Sequence, residues 1–272
     1  MSPGALLEVR GLTKRFGGLA AVSDLDFDLY EGEILGLIGP NGAGKTTTFN
    51  LVAGAYPATA GRVGFAGEPI LGLPPHAIAA RGIMRTFQHN RPFAGMSVLE
   101  NVLVGAHTRF ASGVWSLVAW TPSARAEEDV RRRRAEELVE FVGLGERRSA
   151  EVGTLSFGQG RLLEIARSLA GEPRLMLFDE PAAGLAPAET VRLAEIIRGI
   201  AARGIAVLLI EHDMRFLLPL AHRVAVLNFG VKIADGAPDE IRMHPAVVDA
   251  YLGDPGALVG VAHRDGGSHA AA

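Results

Sequence analysis

The stretch Gly39-Pro40-Asn41-Gly42-Ala43-Gly44-Lys45-Thr46-Thr47 constrains this chain more than any other. It completes the pattern G-x-x-x-x-G-K-[ST], a loop that wraps phosphate oxygens. The apolar run Ile34–Ile38 before it has strand length, and Thr48–Ala53 after it reads as the first turns of a helix. That strand–loop–helix context separates a working phosphate loop from a chance glycine-rich turn. The glycines let consecutive N–H groups converge on an anion, and the helix beginning near Gly44 adds its positive end. Lys45 supplies a full charge to the outer phosphates, and the Thr46 hydroxyl can reach a magnesium ion. The chain is read as a binder of a nucleoside triphosphate.

At 272 residues the chain can bury a large core, either as one α/β domain or as one domain with an inserted lobe. A formal net charge of −3 gives no global basic field, so no nucleic-acid partner is expected. Cysteine is absent, which excludes disulfides and thiolate metal sites and fits a reducing compartment. The first residues lack the charged and apolar regions of a signal peptide. No apolar run approaches the ~18–20 residues of a membrane span. A soluble, cytoplasmic protein is expected.

Leu6–Val9 and Leu25–Leu29, joined through Phe16-Gly17-Gly18, suggest an antiparallel addition at the edge of the sheet. Further strands are expected at Arg62–Phe65 and Met84–Phe87, the latter ending in Gln88, with a proline-started helix at Pro74–Ala80 between them. From His89 to Ser156 strand-like runs give way to helices. One is Val98–His107, with Ser97 and Glu100 in a capping-box pattern, and another is Arg125–Val142. The Arg131–Arg134 run within it reads as a solvated face paired with neighbouring Glu and Asp, rather than a nucleic-acid patch. Strands and helices then alternate: helix Phe157–Leu169, strand Leu175–Phe178, helix Ala188–Ala202, strand Ala206–Ile210, a short helix at Met214–Leu218, strand Val224–Asn228. This argues a mostly parallel sheet covered on both faces. The expected division is an α/β core over 1–88 and 157–253, an inserted helical lobe over 89–156, and a disordered tail over 254–272.

Leu175–Asp179 is an apolar run ending in a carboxylate, with Glu180 next. Such a strand delivers Asp179 to the sheet edge to hold magnesium, while Glu180 can orient or deprotonate an attacking water. Leu155-Ser156-Phe157-Gly158-Gln159 opens a helix with a hydroxyl, a glycine and free N–H groups, a second anion-binding start. One phosphate loop needs one such site, so the second is expected to serve another molecule's nucleotide.

The phosphate loop, Gln88, Leu155–Gln159, Leu175–Glu180 and His212, in that order over roughly 6–252, resemble an ATP-binding cassette ATPase. The resemblance implies a RecA-like P-loop NTPase core with an antiparallel N-terminal β-subdomain and an inserted α-helical lobe. It implies ATP and Mg2+ as cofactors, and a head-to-tail pair of cassettes, homo- or heterodimeric. Each nucleotide would lie between one subunit's phosphate loop and the other's Ser156, Gly158 and Gln159. By the family pattern Phe16 stacks on adenine, where tyrosine is more usual. Gln88 reaches the magnesium or the water, and His212 meets the γ-phosphate. The segment Pro181–Pro187 is similar to the loop that crosses to the partner, although many relatives carry Asp or Asn where Ala186 stands.

Within the family, Thr13–Leu19, Arg85–His89, Arg161–Arg167, Glu180–Leu185, Ile210–Met214 and the aromatic insertion between Gly105 and Arg125 are similar to the larger ATPase of branched-chain amino acid importers. That implies two integral-membrane permease subunits, a periplasmic solute-binding protein and a place on the cytoplasmic face of the inner membrane. The segment His89–Phe93 and the insertion bearing both tryptophans are expected at the permease surface. Importers of urea or short amides, and soluble cassette ATPases outside transport, are the alternatives.

Overall fold

The structure is a computed structural model describing residues 4–86, 92–106 and 122–251. The chain opens with β1 (Leu7–Phe16) and β2 (Leu19–Leu29), antiparallel and turned at Gly17-Gly18. With β4 (Ala60–Phe65) and β5 (Glu68–Pro69) they form a four-stranded sheet of order β2-β1-β4-β5. This corrects the expected place at the edge of the main sheet. β1 is hydrogen-bonded on both sides, by β2 and by β4, and has no free edge to offer. Both strands also run further than expected, because the exposed residues Arg15, Phe16 and Leu19 at the hairpin tip hide the alternation.

The main sheet contains β3 (Ile34–Ile38), β6 (Ile83–Arg85), β7 (Leu175–Asp179), β8 (Ala206–Ile210), β9 (Arg223–Asn228) and β10 (Val231–Gly236). Their order is β10-β9-β3-β8-β7-β6, parallel except for the β9–β10 hairpin. β3, β7 and β8 are buried at every position, which is why each reads as an unbroken apolar run. Alternate residues feed two cores. Leu175, Leu177, Leu35, Leu37, Leu208 and Ile210 face the small sheet, packing with Leu7, Leu25 and Phe49. Met176, Phe178, Ile34, Val207 and Leu209 face the other way, toward the helices.

The helices are α1 (Lys45–Val52), α2 (Pro75–Ala80), α3 (Val98–Gly105), α4 (Pro122–Phe141), α5 (Phe157–Ala170), α6 (Pro187–Ala202), α7 (Met214–Leu217), α8 (Pro238–Met243) and α9 (Pro245–Tyr251). The capping box at α3 is present: Glu100 N–H donates to Ser97 Oγ at 3.3 Å, and Ser97 N–H to Glu100 Oε2 at 2.7 Å. α3, α4 and α5 pack on one another, with Val102, Val139 and Leu163 in a shared core. Arg131 and Arg132 pair with Glu128 and Glu136 along α4, while Arg134 reaches past the helix to Glu172. Among the described residues no helix is long and apolar enough to cross a membrane.

Candidate nucleotide site

Strand register brings the chemistry to one edge. Ile210 stands opposite both Leu37 and Asp179, so the segments leaving β3, β7 and β8 emerge side by side. These are the Gly39–Gly44 loop, Glu180, and Glu211-His212. Thr86 N–H donates to the Leu177 carbonyl at 3.0 Å, carrying β6 to the same edge. Gln88 lies outside the described residues, as do His89, Trp115 and Trp120.

The loop takes its shape from close backbone approaches. Gly39 has φ 153°, and a Cβ there would come within 2.1 Å of the Leu227 carbonyl oxygen. Gly44, at φ 100°, would meet the Ala21 carbonyl oxygen at 2.4 Å. Neither position accommodates a side chain. Ala43 N–H donates to the Pro40 carbonyl, and Gly230 N–H to the Ala43 carbonyl, pinning the loop from inside and from the β9–β10 turn. Asn41 and Gly42 are exposed at its crest. α1 begins at Gly44 with no side-chain cap and no acidic residue in its first turn. Its positive end is therefore left for an anion.

Lys45 is buried, and its Nζ donates to the carbonyls of Gly39 at 2.6 Å and Pro40 at 3.0 Å. Burial lowers its pKa, against the opposing pull of Glu180 and Asp179. Thr46 is exposed and Thr47 half-buried on the first turn, with Thr48 Oγ1 turned inward to the Gly44 carbonyl.

Asp179 is 3% exposed, and neither carboxylate oxygen has a hydrogen-bond partner among the described residues. Burial raises its pKa and Glu180 adds to the rise, while Arg85 and Lys45 oppose it. A buried carboxylate with two unclaimed oxygens, beside a bare helix start and an exposed threonine hydroxyl, fits a hard divalent cation. Glu180 follows at φ 49°, a left-handed conformation that costs a non-glycine residue roughly 1–2 kcal/mol. Its N–H donates to the Ile210 carbonyl at 2.9 Å, and its Oε1 lies 3.9 Å from His212 Nδ1. Both side chains are open to solvent, where a water can be reached.

Ser156 caps α5: Gln159 N–H donates to its Oγ at 3.2 Å, and Ser156 N–H to Gln159 Oε1 at 3.0 Å. Gly158 packs so tightly on Glu189 that a Cβ would come within 2.1 Å of Oε1. The other carboxylate oxygen of Glu189 accepts the Ala186 N–H at 3.0 Å, so the glutamate caps α6 where Ala186 has no capping side chain. Phe157, 58% exposed, lies against Gly184. No hydrogen bond, ion pair or ring contact among the described residues joins Ser156, Gly158 or Gln159 to the Gly39–Thr47 loop.

Phe16 is half-exposed at the tip of the hairpin whose Ala21 carbonyl abuts Gly44. Tyr56 meets it edge-on at 5.8 Å, a second aromatic that no motif in the sequence marks. Arg85 and Glu211 were also given no role. Arg85 Nη2 lies 3.7 Å from Asp179 Oδ2, and its Nη1 donates to Asn50 Oδ1 at 2.7 Å. Glu211, 1% exposed, accepts the Ala182 N–H at 3.0 Å. The available signal was a charge ending or directly following an apolar strand.

Residues 22–183 match the sequence model of the ABC transporter family, and residues 231–257 match that of the branched-chain amino acid ATP-binding cassette transporter. The chain is 44% identical to the high-affinity branched-chain amino acid transport ATP-binding protein LivG of Escherichia coli (strain K12), over 92% of this chain and 98% of LivG. It is equally similar, 44% with the same coverage, to BraF of Pseudomonas aeruginosa, which bears the same description. The ADP conformation of MJ1267, an ATP-binding cassette of an ABC transporter, superposes with a TM-score of 0.79 at 32% identity, covering 92% of this chain and 99% of that one. The RecA-like core, the antiparallel β-subdomain and the phosphate loop on its helix are those of this family. The chain belongs to the ATP-binding cassette family of transporter ATPases, and it binds and hydrolyses ATP.

Proposed function

We propose that this chain is the energising subunit of an importer for branched-chain amino acids, peripheral to the cytoplasmic face of the inner membrane. The observation that carries the substrate is the match of residues 231–257, covering β10, α8 and α9, to the branched-chain amino acid cassette model. The relatives LivG and BraF support it along the whole cassette. Two cassettes, two permease subunits and a periplasmic solute-binding protein make up the assembly. Residues 1–88 and 157–253 form the nucleotide-handling core, and 89–156 the lobe that meets the permease. Phe93, 47% exposed beneath the Arg167 guanidinium, belongs to that surface.

In this reading the Gly39–Thr47 backbone and the start of α1 hold the phosphates, Lys45 neutralises the outer ones, and Phe16 stacks on adenine. Thr46, Asp179 and Gln88 would hold Mg2+, which neutralises charge on the phosphate oxygens when bound. Glu180 orients the attacking water and takes its proton as the oxygen bonds to the γ-phosphorus and ADP departs. His212 contacts the γ-phosphate. Ser156, Gly158 and Gln159 of a second cassette close the other side, so nucleotide holds the pair together.

Uptake of labelled leucine, isoleucine, valine, urea and short amides in a deletion strain tests the reading. Restored uptake of the branched-chain amino acids alone is expected; restoration of urea or amide uptake instead would overturn it. Glu180→Gln should bind ATP while losing nearly all turnover, and wild-type hydrolysis would remove Glu180 from its role.

A further inference from the structure

Glu180 and His212 leave two neighbouring strands, and both are exposed at their tips. Their relative placement depends on the backbone just behind them. Glu180 occupies a left-handed conformation, and the chain turns at once through Pro181 and Ala182, with Ala183 N–H donating back to the Glu180 carbonyl at 3.2 Å. A strained residue stays put only when its surroundings over-determine it. On the strand side the Glu180 N–H is fixed by the Ile210 carbonyl. On the loop side the constraint comes from Glu211, which immediately precedes His212.

The Glu211 carboxyl is buried, an environment that excludes an acidic side chain unless it has work to do. Its Oε1 accepts the Ala182 N–H at 3.0 Å, and its Oε2 lies 3.9 Å from His212 Nδ1. One side chain therefore joins the turn after Glu180 to the imidazole on the segment leaving the neighbouring strand. Ile210, whose carbonyl holds Glu180, is its sequence neighbour.

We propose that Glu211 is a positioning residue for ATP hydrolysis: it ties the turn that carries Glu180 to the segment that carries His212, holding the two in register. The inference rests on the roles proposed above for Glu180 and His212. Glu211 meets neither nucleotide nor water in this scheme. It acts by accepting the Ala182 N–H, so an amide at this position should serve and a methyl should not.

The test compares Glu211→Ala, Glu211→Gln and Glu180→Gln by steady-state ATPase kinetics on the assembled transporter. The Ala182 amide hydrogen exchange of each isolated chain is measured alongside. Glu211→Ala should lose about 10-fold or more in kcat with KM for ATP unchanged, the pattern of lost orientation rather than lost binding. Glu211→Gln should recover most of that loss and keep the Ala182 amide protected, while Glu211→Ala exposes it. A Glu211→Ala protein with wild-type kcat would overturn the proposal, as would equal impairment of both variants, or a rise in KM alone. If Glu211→Ala does not fold, the Ala182 amide decides between the wild type and Glu211→Gln: protection in both supports the acceptor role, and loss in the amide variant overturns it. Glu180→Gln separates the two layers. Wild-type turnover there removes the underlying reading, whereas a dead Glu180→Gln beside an unaffected Glu211→Ala removes only this inference.

Discussion

Arg85 Nη2 lies 3.7 Å from Asp179 Oδ2, and the same guanidinium donates to Asn50 Oδ1 and covers the Phe49 ring at 4.7 Å. One cation on β6 thus joins the carboxylate at the end of β7 to the helix that follows the phosphate loop. Its separation from Asp179 is too long for a hydrogen bond, and it leaves both carboxylate oxygens available. The arrangement holds a buried negative charge without occupying its coordinating atoms.

Removing that cation should therefore be costly in the apo chain. Arg85→Ala strands the Asp179 charge and the Asn50 acceptor together, and a loss of about 2–3 kcal/mol is expected in denaturant unfolding. Asp179→Asn in the same chain should return part of the loss, because the uncompensated charge is then gone. A double-mutant cycle reads the coupling directly, and additive losses would show that the pair does not interact.

Among the described residues, Lys45 Nζ donates only to the carbonyls of Gly39 and Pro40, within its own loop. Lys45→Ala should leave the unfolding midpoint near that of the parent while weakening ATP binding about 100-fold, the scale of a charge-assisted phosphate contact. Fluorescent-nucleotide titration measures this. Near-parental affinity would place the phosphates elsewhere.

The pKa of Glu211 is raised above its ordinary 4.5, chiefly by burial, with the Ala182 N–H and His212 opposing the rise. A folded-state pKa above the unfolded one favours folding most at low pH, and that contribution is lost as pH rises through the folded value. Glu211→Gln cannot ionise and keeps an acceptor for the Ala182 N–H. Its stability relative to the parent should therefore increase as pH rises above the ordinary carboxyl value of 4.5, followed by chemical unfolding across that rise. A constant difference would mean that the carboxyl does not titrate in this window.

What the sequence disclosed followed from how each signal is written. β3 and β8 were bounded correctly because buried parallel strands are unbroken apolar runs, stopped by glycine in one case and by Glu211 in the other. The α3 start was legible from Ser97 followed three residues later by Glu100, and the α5 start from the Ser156 hydroxyl and Gly158, although the capping box that Ser156 forms with Gln159 is seen only in the structure. The separate small sheet followed only from the family resemblance, because a strand's pattern shows which residues are buried and never which partner it chooses. Arg85 and Asp179 lie far apart in the chain, and a charge at the end of a strand does not announce the carboxylate it faces. β10, α8 and α9 are not among the expected elements, although Pro238 and Pro245 start the two helices.

Gly158 offers the sharpest test of the second half-site. It is not held at a positive φ, so alanine there is opposed by contact alone, with Glu189 Oε1 at 2.1 Å and Cδ at 2.5 Å from the added Cβ. The same carboxylate caps α6 through its other oxygen, Oε2, which accepts the Ala186 N–H, so it cannot retreat as a unit without uncovering that helix start. Gly158→Ala should therefore displace the Ser156–Gln159 segment while the phosphate loop keeps its own contacts. ATP binding by the isolated chain should stay at the parental level, whereas ATP-dependent pairing of a Glu180→Gln background should be lost on size-exclusion chromatography. Truncating the obstacle in Gly158→Ala/Glu189→Ala should restore pairing in part, less the lost cap. Pairing that survives Gly158→Ala untouched would mean that the Ser156–Gln159 segment is not the surface that closes over the partner's nucleotide.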